Sequence, residues 1–184
     1  MRRNALITLL LLAIGASHAS GQEFSVSTNA FDYAYEGTLN ISASWGPSRH
    51  WTIEAGAKYN PFSRGSYESE YFSKQRLLKA GARWWPWHIY SGWWLSGAAM
   101  AQEYSKALKG NPETAEGERY GASLGGGYSK MLGRHFNLDV GFGLWGGYET
   151  RTTYACQRCG RKISDGEKFF VSPSEILIAL SYIF

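Results

Sequence analysis

Apolar and polar residues alternate with a period of two along much of this chain, in runs broken by turn residues, as in strands with one apolar and one polar face. Over residues 51–59, Trp51, Ile53, Ala55, Ala57 and Tyr59 share one face, and Thr52, Glu54, Gly56 and Lys58 the other. Farther on, Phe136, Leu138, Val140, Phe142, Leu144 and Tyr148 oppose Asn137, Asp139, Gly141, Gly143 and Glu149. Tyr120, Leu124 and Tyr128 oppose Arg119 and Ser123. The pattern predicts eight strands, over residues 24–30, 38–45, 51–59, 76–85, 93–103, 118–131, 136–150 and 174–184. The doublets Leu77-Leu78, Trp84-Trp85 and Trp93-Trp94 leave the register of the fourth and fifth open.

In the last strand, Ile176, Ile178, Leu180, Tyr182 and Phe184 share one face, and Glu175, Ala179 and Ser181 the other. Such an apolar strand must be paired on both edges or it becomes a template for aggregation, and closing the sheet on itself pairs both. Short turn-rich joins at 46–50, 86–92 and 132–135 alternate with the long polar joins 60–75, 104–117 and 151–173, while 31–37 is brief. Outer-membrane barrels alternate short periplasmic turns with long outer loops in this way. The expected fold class is therefore all-β, an eight-stranded antiparallel up-and-down transmembrane β-barrel with both termini periplasmic.

The amino-terminal segment adds a compartment. Arg2 and Arg3 precede an apolar run over 5–16 and the small-residue site Ser17-His18-Ala19, the pattern of a secretory signal peptide. Residues 1–19 are expected to be removed, leaving one domain over 20–184. The run is shorter than the roughly 20 residues of a spanning helix, and no cysteine follows it to mark a lipoprotein.

Composition fits the same reading. Hydrophobic residues make up 44% of the chain but the mean hydropathy is −0.32, because polar positions are interleaved among the apolar ones. Without Arg2 and Arg3 the 19 basic residues fall to 17 against 15 acidic, which gives no footprint for nucleic acid. Trp45, Trp51, Tyr59, Trp84, Trp85, Trp87, Trp93, Trp94, Tyr148 and Tyr182 crowd the predicted strand ends, as in two interfacial girdles.

The alternation also populates the lumen. Glu54, Asp139, Glu149 and Glu175 would point inward with Lys58, Lys79, Arg83 and Arg119, so the two signs balance. Eight strands enclose only their own side chains, and buried charges must be paired, so a plugged barrel is expected rather than a diffusion channel. Inward Gly121, Gly125, Gly127, Gly141 and Gly143 leave room for bulky partners such as Trp145.

One segment carries possible chemistry. Cys156 and Cys159, the two cysteines of the chain, form a CxxC in the longest predicted loop. A local disulfide in an oxidising compartment competes with a zinc site, a redox pair, intermolecular linkage and reduced thiols. No second cysteine pair completes a zinc site, and no helix start is predicted to favour a thiolate. His50, His88 and His135 fall in the short turns, away from the serines and acids of the long loops, which argues against a His-based outer-leaflet hydrolase. Gly125-Gly126-Gly127 lacks the Lys and following helix of a phosphate loop.

Tyr59-Asn60-Pro61-Phe62 at a strand end, Arg83-Trp84-Trp85, the glycine-rich strand from Tyr120 to Tyr128, Cys156-x-x-Cys159-Gly160 and Pro173 before the last strand occur in that order. In this combination the chain resembles the DUF3575 family of Bacteroidota over nearly all of its mature length. The resemblance implies a small outer-membrane β-barrel of uncharacterised function, often encoded beside fimbria-like surface proteins. It brings no catalytic residue and no cofactor. A terminal aromatic also resembles the signal read by the barrel-insertion machinery, which gives Tyr182 and Phe184 that expected role. The expected function is a structural or binding module in contact with outer-membrane lipid and with fimbrial or other surface proteins. An outer-membrane enzyme acting on lipid or peptide, or a narrow channel, is the alternative.

Overall fold

A computed structural model describes residues 23–34, 37–64, 71–107, 113–156 and 160–184. The expected signal segment, residues 1–19, lies outside the described residues. Eight strands form an antiparallel ring: β1 (Phe24–Asn29), β2 (Leu39–Ser48), β3 (Trp51–Asn60), β4 (Tyr71–Trp84), β5 (Gly92–Ala107), β6 (Thr114–Met131), β7 (Phe136–Tyr154) and β8 (Lys162–Ile183). Each pairs with the next in sequence, and β8 returns to β1 from Ser25 opposite Ile183 to Asn29 opposite Ala179. A short helix, α1 (Ala30–Ala34), joins β1 to β2, and the two-residue strand Ser63–Arg64 pairs with Tyr71 and Phe72 on β4.

The period-two pattern sorts the side chains as the sequence predicts. On β3, Trp51, Ile53 and Tyr59 are exposed on the outside, whereas Thr52 and Glu54 are buried inside the ring. On β7, Phe136, Val140, Phe142, Leu144 and Tyr148 are exposed and Asn137, Asp139, Trp145 and Glu149 are buried. The carboxyl-terminal strand does likewise, with Ile176, Ile178, Leu180, Tyr182 and Phe184 outward and Leu177, Ala179, Ser181 and Ile183 inward.

Two expectations need correction. Trp85 and Trp94 do not join an outer girdle; both are buried in one inner cluster with Ile89, Tyr90, Leu177, Ala179 and Ile183. A tryptophan doublet must put one ring on each face of a strand, and here Trp84 and Trp93 take the outside. Glycines fix the choice on β5. A Cβ at Gly127 or Gly141 would lie within 2.5 or 2.7 Å of the Trp94 ring, so these positions make the floor on which it rests. Trp145 is buried inside the ring and meets Phe170, Leu77 and Met100 in a second cluster.

The second correction concerns the long joins. Residues 151–173 are mostly strand, because β7 runs to Tyr154 and β8 begins at Lys162. The 60–75 and 104–117 joins shrink in the same way, since β4 begins at Tyr71 and Thr114 of β6 already lies opposite Ala107 of β5. The ring is therefore uneven in height, tall over β5 to β8 and low at β1 and β2. Where the low wall meets the tall one, Asn29 finishes the β1–β8 ladder with its side chain. Its Nδ2 donates to the Ile176 carbonyl at 3.0 Å and its Oδ1 accepts from the Ile178 N–H at 3.0 Å, as a further peptide unit would. Beyond Ile176, among the described residues, no strand pairs with that edge of β8.

Candidate functional site in the lumen and at the rim

The inward polar positions of β3, β4, β7 and β8 converge on one buried cluster. Glu54 (β3) takes Lys79 at 2.9 Å on one oxygen and Arg83 at 2.7 Å on the other, both from β4. Lys79 also reaches Glu175 of β8 at 2.8 Å, and Lys58 lies between Glu175 at 3.6 Å and Asp32 at 2.8 Å. Arg83 approaches Asp139 of β7 at 3.6 Å, stacks on the Trp94 ring at 4.3 Å, and leaves Asp139 Oδ2 to accept from the Ser181 hydroxyl at 2.9 Å.

Six of the eight charges expected inside the ring thus fall into contact, Arg119 and Glu149 excepted, and Asp32 joins them as a seventh member. Asp32 had no place in the sequence reading, because 31–37 looked like a plain connection. Its helix turns the carboxylate back into the ring. Lys58, Lys79 and Arg83 then face Asp32, Glu54, Asp139 and Glu175, an excess of one negative charge. Beside them, Ser25, Ser27, Ser42, Ser44, Thr52 and Ser181 line a cavity of about 10 Å³, room for roughly one water.

Arg119 and Glu149 make a separate cluster higher up. Glu149 is 1% exposed and accepts from Arg119 Nη2 at 2.6 Å, from the Tyr104 hydroxyl at 2.5 Å and from Lys168 Nζ at 3.1 Å. It follows Tyr148, the last aromatic of the outward row on β7, and stands beyond the apolar band. Burial pushes its carboxyl up, but the hydrogen bonds from Tyr104, Arg119 and Lys168 outweigh burial and hold the pKa at about 2. Burial, and then the hydrogen bond to Glu149, push the Tyr104 phenol up to about 12. Tyr104 and Lys168 escaped the sequence reading because both fell in segments taken for loops.

The outer surface is banded. Near one end Phe24 stacks with Trp45, Trp93 meets Tyr128 edge-on, and Tyr182 meets both Phe136 and Phe184 edge-on. Phe184 is tied in by its N–H to the Phe24 carbonyl. Toward the other end a cross-strand row runs from Tyr59 through Arg76, Glu103, Glu118 and Thr150 to Glu167, and replaces apolar by charged groups. An open concavity of about 600 Å³ lies along this row. At about 3.3 Å per residue and a ~40° tilt, the apolar stretch from Tyr120 to Tyr128 is about 20 Å tall and that from Phe136 to Tyr148 about 30 Å.

The histidines lie at the end with Phe184. His50 Nδ1 is 3.0 Å from the Trp85 carbonyl and His135 Nδ1 is 2.9 Å from the Ile183 carbonyl, so both tie turns to strands. Cys156 is disulfide-bonded, and Cys159 lies outside the described residues. Among the described residues no three His, Cys, Asp or Glu side chains come together in a metal-like group. No helix there is long and apolar enough to cross a membrane, a statement that leaves strands untouched.

The family described as a protein of unknown function, DUF3575, matches residues 6–184. The chain belongs to that family. No curated protein matches it. In this DUF3575 protein the motif glycine Gly127 and the motif residue Arg83 both serve one ring, Trp94, the first by leaving space for it and the second by stacking on it.

Proposed function

We propose that this protein is a plugged outer-membrane β-barrel that anchors a binding surface outside a diderm bacterium. The observation that carries the reading is the continuous outward apolar band, flanked at one end by stacked aromatics and at the other by the row from Tyr59 to Glu167. In water such a band would be an aggregation liability; in a bilayer it matches the roughly 25 Å of lipid-facing surface of outer-membrane barrels. On this reading Phe24 and Phe184 stand on the periplasmic side and the hairpins beyond Tyr148 stand outside. The interior supports a plug: Glu54, Lys79, Arg83 and Glu175 are cross-linked by ion pairs, with the Trp85 and Trp94 cluster beside them. Its partners would be outer-membrane lipid, the barrel-insertion machinery and an envelope protein, the fimbria-like class being the one the family resemblance suggests.

The purified protein in detergent is expected to migrate faster on a gel when unboiled than when boiled, and to precipitate when detergent is removed. A mobility unchanged by boiling, together with solubility in plain buffer, would overturn the membrane reading. Stable open currents across a planar bilayer would overturn the plug.

A further inference from the structure

On that reading the outer hairpins are where a partner must dock, and β8 offers a particular means. Its β7 edge is paired from Phe136 opposite Tyr182 up to Tyr154 opposite Lys162. Its other edge is paired with β1 only up to Ala179, and by the Asn29 amide to Ile176. Pro173 and the unpaired Ser174, skipped in the ladder between Glu175 and Pro173, then interrupt the strand. From Lys162 to Ser172 one edge of β8 carries no partner strand among the described residues. The β4 edge is treated differently, since Ser63–Arg64 covers it at Tyr71 and Phe72. Helix α1 packs on β8, and Asp32 within it reaches Lys58, which in turn reaches Glu175, so this carboxylate lies on the Glu175 side of Pro173.

A bare strand edge presents N–H and C=O groups spaced to receive another chain, and proteins ordinarily cover or disrupt edges of this length. We propose that this edge of β8 accepts an extended segment of a partner polypeptide, which continues the sheet across the step toward β1. Backbone pairing would supply affinity and the flanking side chains the choice of sequence. Ile163 is exposed on the outward face beyond the charged row and would lie beside alternate residues of the incoming strand, whereas Phe169, opposite Tyr148, and Val171, opposite Gly146, belong to the apolar band. The electrostatics select its charge. Lys162 is paired with Asp165 at 2.7 Å and Lys168 with Glu149 at 3.1 Å, so between residues 150 and 171 the sequence leaves Arg151, Arg158 and Arg161 against Glu167, and the fitting partner is an acidic extended peptide with alternating apolar residues.

The test is residue-resolved amide exchange on the full protein in detergent micelles, alone and with a decapeptide of alternating Glu and Val. Alone, alternate amides between 162 and 168, beyond the apolar band, should exchange fast, since successive N–H groups point to opposite edges. With the peptide that fast set should slow by about tenfold or more, and an Arg161→Glu, Lys162→Glu variant should transfer the preference to a Lys-Val decapeptide. Uniformly slow amides in the dilute protein would show that its own chain covers the edge and would overturn the proposal. Protection that grows with protein concentration alone would assign the edge to a second copy and overturn it as well, as would protection by neither peptide. A protein that keeps its heat-dependent gel mobility while failing these tests leaves the barrel standing and removes only the docking edge.

Discussion

The two ion-pair clusters use the same side chains at different depths. In the deep cluster Glu54 is held between two cations that are themselves enclosed, and no charged partner reaches bulk water easily. At the rim Glu149 is as buried as Glu54, but one of its cations, Lys168, is 56% exposed. The comparison shows depth deciding what a charge does. Deep pairs cannot be screened or re-solvated, so they lock the lumen; the rim pair fastens a hairpin that remains open to solvent and salt.

The largest effect should come from Glu54→Ala, which removes the carboxylate that Lys79 and Arg83 share and leaves Glu175 to the one and Asp139, at 3.6 Å, to the other. Removing one partner of a buried pair costs about 3–5 kcal/mol, and urea unfolding in micelles should show a loss of that size, little altered by salt. A loss under about 1 kcal/mol would mean that water reaches the deep cluster and that depth does not separate the two sites. Glu149→Gln should cost less and should change the response to acid. Its folded pKa lies near 2, below the ordinary carboxylate value of 4.5, so the stabilisation is fully present above about 4.5 and is lost as pH falls toward 2. Unfolding midpoints should therefore fall less steeply over that window in the variant than in the parent; equal slopes would refute the assigned role. Smallest is Lys168→Ala, at under about 1 kcal/mol and shrinking further in high salt. A salt-independent loss would show that Lys168 acts through packing instead.

Much of the lumen was legible in the chain because the strands there cross a boundary between apolar and polar surroundings. Wherever one face meets the apolar band, alternation declares itself, as from Trp51 to Tyr59 and from Phe136 to Tyr148. Past Tyr148 both faces of the strands meet polar surroundings, and Arg151-Thr152-Thr153 or Lys162 to Lys168 shows no contrast between odd and even positions. That is why strand was taken for loop there, and why Lys168 and Tyr104 were missed. Trp84-Trp85 and Trp93-Trp94 were illegible for the opposite reason: both residues of each doublet suit either face, and for Trp93-Trp94 the space was made by Gly127 on the neighbouring strand and Gly141 on the strand beyond it. Asp32 depended on a helical turn too short to signal itself.

The step in the wall gives the molecule a direction. A ring of even height in a fluid bilayer presents much the same profile to neighbours on every side, and rotation about its axis averages out whatever differences remain. With β1 and β2 low and β5 to β8 tall among the described residues, the step between β1 and β8 makes a seam at one azimuth, and Asn29 marks where it opens. On the proposed membrane reading, anything bound there would be carried at a fixed compass bearing relative to the ring, so that turning the ring would steer its cargo.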